Sequence, residues 1–397
     1  MVKLEVKNLY KVFGPNPRRV LKAIKNGASK EQLLKDTGHG IGVRDANFEV
    51  LEGEVFVIMG LSGSGKSTLV RCINRLIEPT SGDIILDGQS VTKSDSKELL
   101  EIRRKKIGMV FQNFALLPHR TIKENVAFGL EIQAESIEVR DKKATEALEM
   151  VGLKGYEDMY PSQLSGGMQQ RVGLARALAT DPDILLMDEA FSALDPLIRK
   201  EMQSELMTLQ SRMQKTIIFI THDLDEALRI GDRIAIMKDG EIMQIGTPEE
   251  ILTDPADNYV KEFVQDVNRA KVVTASSIMK NPDTIISSKD GARVAVRRMR
   301  SAGISSIFVL DRQRKLKGII SIEDAMKLVK EESNDIDSII DKDVYTVSPD
   351  TSIEELLPLA VNTKYPIVVA DEEGVLQGII VRVSVLSGIL GEEEDDV

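Results

Sequence analysis

Apolar and polar positions alternate along residues 2–13, with Leu4, Val6 and Leu9 on the apolar side, the period-two pattern of a half-buried strand. Residues 15–42 break that pattern. Pro15, Pro17, Gly27, Gly38, Gly40 and Gly42 punctuate an insertion or surface excursion, with one amphipathic piece at Glu31–Asp36. A strand resumes at Val43–Val50, and Val55–Met59 is an unbroken apolar run of buried-strand type. Residues 97–180 are mostly helical in pattern. Short apolar runs return at Ile184–Met187, Ile217–Thr221 and Ile234–Met237, separated by helical stretches. This alternation predicts an α/β domain over residues 1–265, with a parallel sheet covered on both faces.

Beyond residue 265 the pattern becomes an internal repeat. Residues 277–329 resemble residues 338–390. Each copy has an early pair (Thr284-Ile285, Thr346-Val347) and then a helix from Ser288 or Ser348. An apolar strand follows (Ile307–Leu310, Ile367–Ala370), and each copy closes on Lys317–Ile320 or Gln377–Ile380 and a last helix. Two β-α-β-β-α units are expected, spanning 266–332 and 333–391. The acidic block Glu392–Asp396 reads as a solvated tail over 392–397.

Composition narrows the classes. Hydrophobic residues are 42% and charged residues 29%, the profile of a globular protein. The formal charge of −11 argues against nucleic acid as a partner, which needs a basic face. The single cysteine, Cys72, excludes an internal disulfide framework and a cysteine-rich zinc site, and reads as a packed small side chain. No apolar run is long enough to cross a bilayer, and the N-terminus lacks a signal-peptide core, so the expected setting is cytoplasmic.

The chemistry concentrates in residues 60–67, Gly-Leu-Ser-Gly-Ser-Gly-Lys-Ser, after a predicted strand and before a predicted helix at Thr68–Leu76. Glycines let backbone N–H groups curl around an anion, and the helix N-terminus adds a favourable dipole. Gly60, Ser62, Gly63, Ser64, Gly65 and Thr68 are therefore expected to contact ATP. Lys66 supplies charge to the β- and γ-phosphates, and Ser67 offers a hydroxyl to Mg²⁺. The run Ile184–Met187 ends in Asp188 and Glu189. Asp188 suits the Mg²⁺ shell, and Glu189 is placed to polarise an attacking water. Leu164-Ser165-Gly166-Gly167 before a helix at Arg171–Ala179 is a second candidate anion site, or a helix cap alone.

The Ser165 string resembles the signature motif of ABC-type ATPases, and the resemblance covers residues 1 to about 265. It implies a P-loop fold with a parallel core sheet, an antiparallel N-terminal sheet and a helical signature subdomain. It implies that Gln112 is the glutamine that touches Mg²⁺ and the attacking water, that Glu189 is the general base and that His222 holds the γ-phosphate. Phe13, with Tyr10 close by, stands where the family places an aromatic ring under adenine. Two copies are implied, with Ser165, Gly166, Gly167 and Asp195 of one facing the ATP of the other.

Several segments narrow the resemblance further: Gly27–Lys30, Lys35–Gly38, Phe56–Gly63 and Asn74–Thr80. They are similar to the ATP-binding subunits of quaternary-amine importers for glycine betaine or proline betaine. That implies an integral membrane permease as partner, with or without a fused substrate-binding domain, and a position on the cytoplasmic face of the cell membrane. Phe114, Leu116 and Leu117 are either permease contacts in a groove or core of the helical subdomain. A soluble ABC ATPase or nucleotide-responsive regulator without a permease is the alternative.

The two repeats resemble tandem CBS domains, in an α+β module. Ser321 and Asp324 match the positions such modules use for the ribose of an adenine nucleotide, whereas Val381 and Ser384 depart from them. AMP or ATP, or cyclic di-AMP at a dimer of modules, is the expected ligand. Ionic-strength sensing is the other reading. For that, Arg293, Arg297, Arg298 and Arg300 on one helix would meet an anionic membrane surface or a phosphate.

Overall fold

Runs of β-branched and aliphatic residues flanked by turn residues bury both faces of a strand, and this requires layers on either side. In the computed structural model Val55–Met59, Ile184–Asp188 and Thr216–Thr221 are buried at every position. Residues 1–390 are described apart from Asn113, Asp266, Asp283, Ser288, Arg312 and Asn334; the acidic tail and Ser288 thus lie outside the described residues. The chain forms two units, Met1–Gln265 and Asp266–Val397.

In the first unit the strands are β1 (Val2–Phe13), β2 (Gly40–Leu51), β3 (Val55–Met59), β4 (Ser81–Leu86), β5 (Gln89–Ser90), β6 (Ile107–Phe111), β7 (Ile184–Asp188), β8 (Thr216–Thr221), β9 (Arg233–Lys238) and β10 (Glu241–Gly246). One sheet has the order β2-β1-β4-β5, with antiparallel pairing throughout. The other runs β10-β9-β3-β8-β7-β6, parallel except for β10. The helices of this unit include α1 (Leu21–Lys25), α2 (Lys30–Thr37), α3 (Lys66–Ile73), α4 (Ser96–Lys105), α5 (Ile122–Ile132), α6 (Ile137–Met150), α7 (Gly166–Leu178), α8 (Pro196–Met213) and α9 (Leu224–Ile230).

One apolar cluster joins the two sheets through α3. It contains Leu4 and Val6 of β1, Phe48 of β2, Phe56 and Ile58 of β3, and Leu69, Val70 and Ile73 of α3. The Phe48 and Phe56 rings stack at 5.1 Å. Cys72 lies in the same cluster, and burial pushes its thiol up to about 12, so it is an inert packing group.

Residues 15–39 form the expected insertion, with α2 over the amphipathic piece at Glu31–Asp36. Gly40–Gly42 belong to β2, and α1 and α2 fold onto the sheet. Ile24 and Leu33 are buried with Tyr10, Val12 and Ile41. The glycines and prolines of the segment bound its short helices.

Two helix starts also differ. α3 begins at Lys66 and ends at Ile73, and α7 begins at Gly166, five residues before the expected start. Glycine costs little in a first turn whose N–H groups have no intrahelical partners, and Ser165 caps that turn by accepting from Met168 N at 3.4 Å.

The second unit has two three-stranded sheets, Ile285–Ser287 with Ser306–Leu310 and Leu316–Ser321, and Thr346–Val347 with Ile367–Ala370 and Leu376–Ile380. The halves exchange their leading segments. Ala270, Val273 and Ala275 pack with Ile353, Leu356 and Val385 of the second half. Ile336, Ile339 and Ile340 pack with Ile307 and Ile320 of the first. Phe308, Leu310 and Ile319 meet Val368, Ala370 and Leu376 in a shared cluster. The four arginines sit on the helix Ala292–Ala302, but only Arg293, Arg297 and Arg300 are exposed. Arg298 turns inward, donating to the carbonyl of Ile285 and pairing with Asp290 at 3.8 Å. Spacing explains this: Arg298 falls about 100° from Arg297 around the helix.

Candidate active site

Strand register builds the site. Met59 of β3 lies opposite Thr221 of β8, Ile220 opposite Asp188 of β7, and Asp188 opposite Phe111 of β6. The residues that follow these strand ends are Gly60, His222, Glu189 and Gln112. They therefore share one edge of the sheet, beyond the strand C-termini where α/β proteins bind ligands.

The loop after β3 needs its glycines. Gly60 has φ 146° and a Cβ there would lie 2.2 Å from the Met237 carbonyl oxygen. Gly65 has φ 105° and its Cβ would lie 2.2 Å from the Gly42 carbonyl oxygen. Gly63 has φ 79° and faces open space. Ser62 and Gly63 are exposed and Ser64 is buried. The Lys66 ammonium, only 5% exposed, donates to the carbonyls of Gly60 at 2.7 Å and Leu61 at 3.0 Å. Burial pulls it below the ordinary lysine range, opposed by the charges of Glu189 and Asp188.

Ser67 Oγ donates to Asp188 Oδ1 at 2.9 Å, and Arg71 donates to Asp188 Oδ2 at 3.1 Å. Arg71 escaped the sequence reading. Its signal is spacing, since it lies one helical turn after Ser67 on the same face. Glu189 sits at φ 49°, a left-handed conformation uncommon for a residue with a side chain. Its Oε2 accepts from Gln112 Nε2 at 3.3 Å and lies 3.7 Å from His222 Nδ1. Ser192 Oγ accepts from Gln112 Nε2 at 3.0 Å and donates to the Glu189 carbonyl at 2.9 Å. Behind His222, the Glu226 carboxylate accepts from Gln203 Nε2 at 2.9 Å and from the Thr221 hydroxyl. Burial pushes Glu226 up against those bonds.

The second group of expected residues forms a separate patch. Ser165 and Gly166 are exposed at the start of α7. A Cβ on Gly167 would lie 2.7 Å from Ile198 of α8, and one on Gly166 would lie 3.9 Å from Leu194 and 3.8 Å from Phe114. Asp195 caps α8, accepting from Leu197 N and Ile198 N at 3.1 Å each. Among the described residues no hydrogen bond links this patch to the Lys66 loop. Phe114, Leu116 and Leu117 are half-buried. Asn125 fixes the Leu117 backbone by accepting at 2.7 Å and donating at 3.0 Å.

Phe13 and Tyr10 separate cleanly. Tyr10 is 6% exposed in the core under α1 and α2, whereas Phe13 is 45% exposed. A Cβ on Gly42 would lie 2.7 Å from the Phe13 ring and 2.9 Å from Thr68 Cγ2, so Phe13 stands beside the start of α3.

The residues present fit a triphosphate with Mg²⁺. The loop is glycine-lined, it carries a buried ammonium, and the buried Ser64 hydroxyl has no protein partner. Ser67 and Asp188 supply hard oxygen donors within hydrogen-bond distance of each other. Among the described residues no helix is long and apolar enough to cross a membrane.

A sheet edge that aligns a phosphate loop, a glutamine, two carboxylates and a histidine, beside a separate Ser-Gly-Gly helix start, is the nucleotide-binding cassette of an ABC-type ATPase. The ABC transporter family matches residues 43–192, and the CBS domain family matches residues 275–331 and 336–391. The chain is 58% identical over 99% of its length to the glycine betaine/carnitine transport ATP-binding protein GbuA of Listeria monocytogenes, covering 99% of that protein. It is 54% identical over 99% of its length to the glycine betaine transport ATP-binding protein OpuAA of Bacillus subtilis, covering 94% of it. A dimeric post-hydrolysis structure of the ATP-binding cassette MJ0796, bound to ADP and Pi, is 36% identical with a TM-score of 0.52, over 62% of this chain and 98% of that one. The chain belongs to the betaine-type family of ABC transport ATP-binding proteins, ATP-hydrolysing subunits that here carry tandem CBS domains.

Proposed function

We propose that this chain energises uptake of glycine betaine or a related quaternary amine, as the ATPase of an importer whose permease is a separate membrane subunit. The observation that carries the catalytic reading is the alignment of Gly60, His222, Glu189 and Gln112 along one sheet edge. The names of the relatives support the substrate class. Recruitment by the permease puts the chain on the cytoplasmic face of the membrane, with the half-buried Phe114, Leu116 and Leu117 as contacts for it.

In this reading Lys66, Thr68 and the loop N–H groups of Gly60–Gly65 hold the nucleotide at its phosphate end, and Phe13 lies under the base. Ser67, Asp188 and Gln112 would hold Mg²⁺, which when bound neutralises charge on the phosphate oxygens. Glu189 accepts the proton of the attacking water, Gln112 orients that carboxylate, and His222 steadies the γ-phosphate. Ser165, Gly166, Gly167 and Asp195 serve the ATP of a second copy. The exposure of Ser165 and Gly166, away from the chain's own phosphate loop, supports that assignment.

The CBS module is read as the regulator of this ATPase, through an adenine nucleotide such as cyclic di-AMP or through ionic strength. Ser321 and Asp324, at the positions that resemble the ribose contacts of such modules, support the nucleotide route. Ser321 already caps its helix and donates to Asp324 at 2.6 Å, so a ribose would have to replace that bond. The exposed Arg293, Arg297 and Arg300 support the ionic route.

The test is transport by the complex with its permease in proteoliposomes. ATP hydrolysis should rise on addition of glycine betaine and rise again with salt. Hydrolysis indifferent to glycine betaine, carnitine and proline betaine would overturn the importer reading.

A further inference from the structure

The helical insertion between β1 and β2 has no part in the site described so far, yet it reaches that site. Arg44 of β2 holds it from below, donating to the carbonyls of Ile24 at 3.2 Å and Ala28 at 3.3 Å. At its other end the His39 ring is bonded to Thr37 Oγ1 at 2.9 Å and to the Pro15 carbonyl at 2.7 Å. Ser29 caps α2, so the next residue, Lys30, has a fixed starting point. The Lys30 ammonium donates to the Gly63 carbonyl at 3.1 Å and lies 3.7 Å from Asp239. Asp239 belongs to the β9–β10 turn, whose Gly240 N–H also donates to the phosphate loop, at Ser64 O, 2.8 Å.

A lysine at a helix N-terminus meets the unfavourable end of the helix dipole, so Lys30 does not serve α2 itself. Gly63 has the most open surroundings of the three loop glycines Gly60, Gly63 and Gly65. It has φ 79° and nothing within 4 Å of where a Cβ would be, and glycine peptides in that region reorient easily. A reoriented Gly63 peptide would turn a carbonyl oxygen toward the phosphates.

We propose that Lys30 is a positioning residue of the triphosphate site: its ammonium, paired with Asp239, holds the Gly63 carbonyl outward. This rests on the reading of the Lys66 loop as the ATP site. The insertion is then a brace for the phosphate loop.

The experiment measures KM for ATP and kcat in the full complex with its permease, and equilibrium binding of a fluorescent ATP analogue. Lys30→Ala should raise KM and weaken analogue binding about 5-fold, the share expected of one half-exposed charge-assisted bond, with kcat within 2-fold of the parent. Lys30→Arg should recover most of that loss. A KM for Lys30→Ala within 2-fold of the parent overturns the proposal, and so does a rise that arginine fails to relieve. Lys66→Ala separates the two readings. If it loses the analogue while Lys30→Ala does not, only the brace falls; if it binds normally, the ATP-site reading falls first.

Discussion

Gln112 Nε2 donates to Glu189 Oε2 at 3.3 Å while the same nitrogen reaches Ser192 Oγ at 3.0 Å. Gln112 follows β6 and Glu189 follows β7, so the bond ties the ends of two neighbouring strands. Two residues after Gln112 the chain enters Phe114 and Ala115, both at positive φ. Their carbonyls accept from Arg176 of α7, Phe114 O at 3.0 Å and Ala115 O at 2.5 Å. Burial lowers Arg176 below the ordinary arginine range. The helical subdomain is thus linked to Glu189 through one short segment and one hydrogen bond. A shift of that subdomain has a direct path to the Glu189 carboxylate, the proposed general base.

Glu189→Gln keeps the shape of the side chain and removes its basicity. ATP affinity should stay within 2-fold, and turnover should fall by about 10²–10⁴, the range for loss of a general base. Steady-state hydrolysis and nucleotide binding on the same preparation check both halves. Normal turnover would take Glu189 out of the mechanism.

The glycines of the loop are unequal. A methyl at Gly65 meets a backbone oxygen that cannot yield, at 2.2 Å, whereas one at Gly63 meets open space and bears only left-handed strain of about 1–2 kcal/mol. Gly65→Ala should abolish nucleotide binding while Gly63→Ala weakens it. Equal losses, measured by calorimetric titration with ATP, would contradict the geometry.

Much of this was legible in the sequence because the chemistry is local. Residues 60–67 carry the loop, and Asp188-Glu189 closes a buried run, so both sites could be found from spacing and pattern. Interactions set by tertiary contact were not legible. Lys30 and Gly63 are 33 residues apart, and only the folding of α2 onto β2 brings them together. The burial of Tyr10 and the exposure of Phe13 depended on which one the insertion covers. The inward turn of Arg298 depended on Asp290 and on the strand at Ile285. The exchange of leading segments in the CBS pair was invisible because a repeat shows what each copy contains, and not which copy it packs against.

Asp83 gives a pH test of the antiparallel sheet. Burial alone would raise its carboxyl, but hydrogen bonds from Lys93, Ser90 and Thr92, with the Lys93 charge, outweigh that and hold it at about 2. The folded value lies below the ordinary 3.8, so the native state binds fewer protons between these limits. Its stabilisation is therefore complete above about pH 4 and is lost as pH falls toward 2. Lys93 is exposed, so the contribution is about 1 kcal/mol after screening. Asp83→Asn should lower the unfolding midpoint of the cassette by about 2–4 °C at pH 5, with the gap narrowing steadily as pH falls toward 2. A gap that stays constant across that range would show that Asp83 is not the titrating group.

The split between the Lys66 loop and the Ser165 patch leads to a complementation test. If each ATP lies between Lys66 of one copy and Ser165 of the other, a variant in either position damages both sites of a homodimer. Lys66→Ala and Ser165→Arg complexes should each hydrolyse ATP at under about one-hundredth of the parent rate, as expected when a group that stabilises transition-state charge is removed. Co-expressed with different affinity tags and purified as the mixed pair, the two variants reconstitute one sound site. The sound site takes its lysine from the Ser165→Arg chain and its serine from the Lys66→Ala chain, and the second site carries both lesions. Hydrolysis should return to a substantial fraction of the parent rate if one site suffices, and ATP binding should return to one equivalent per pair in either case. If Lys66 and Ser165 served the same ATP within one chain, every site in the mixed pair would carry one lesion and neither activity nor tight binding would recover. The binding stoichiometry of the mixed pair therefore decides between the two arrangements without relying on turnover.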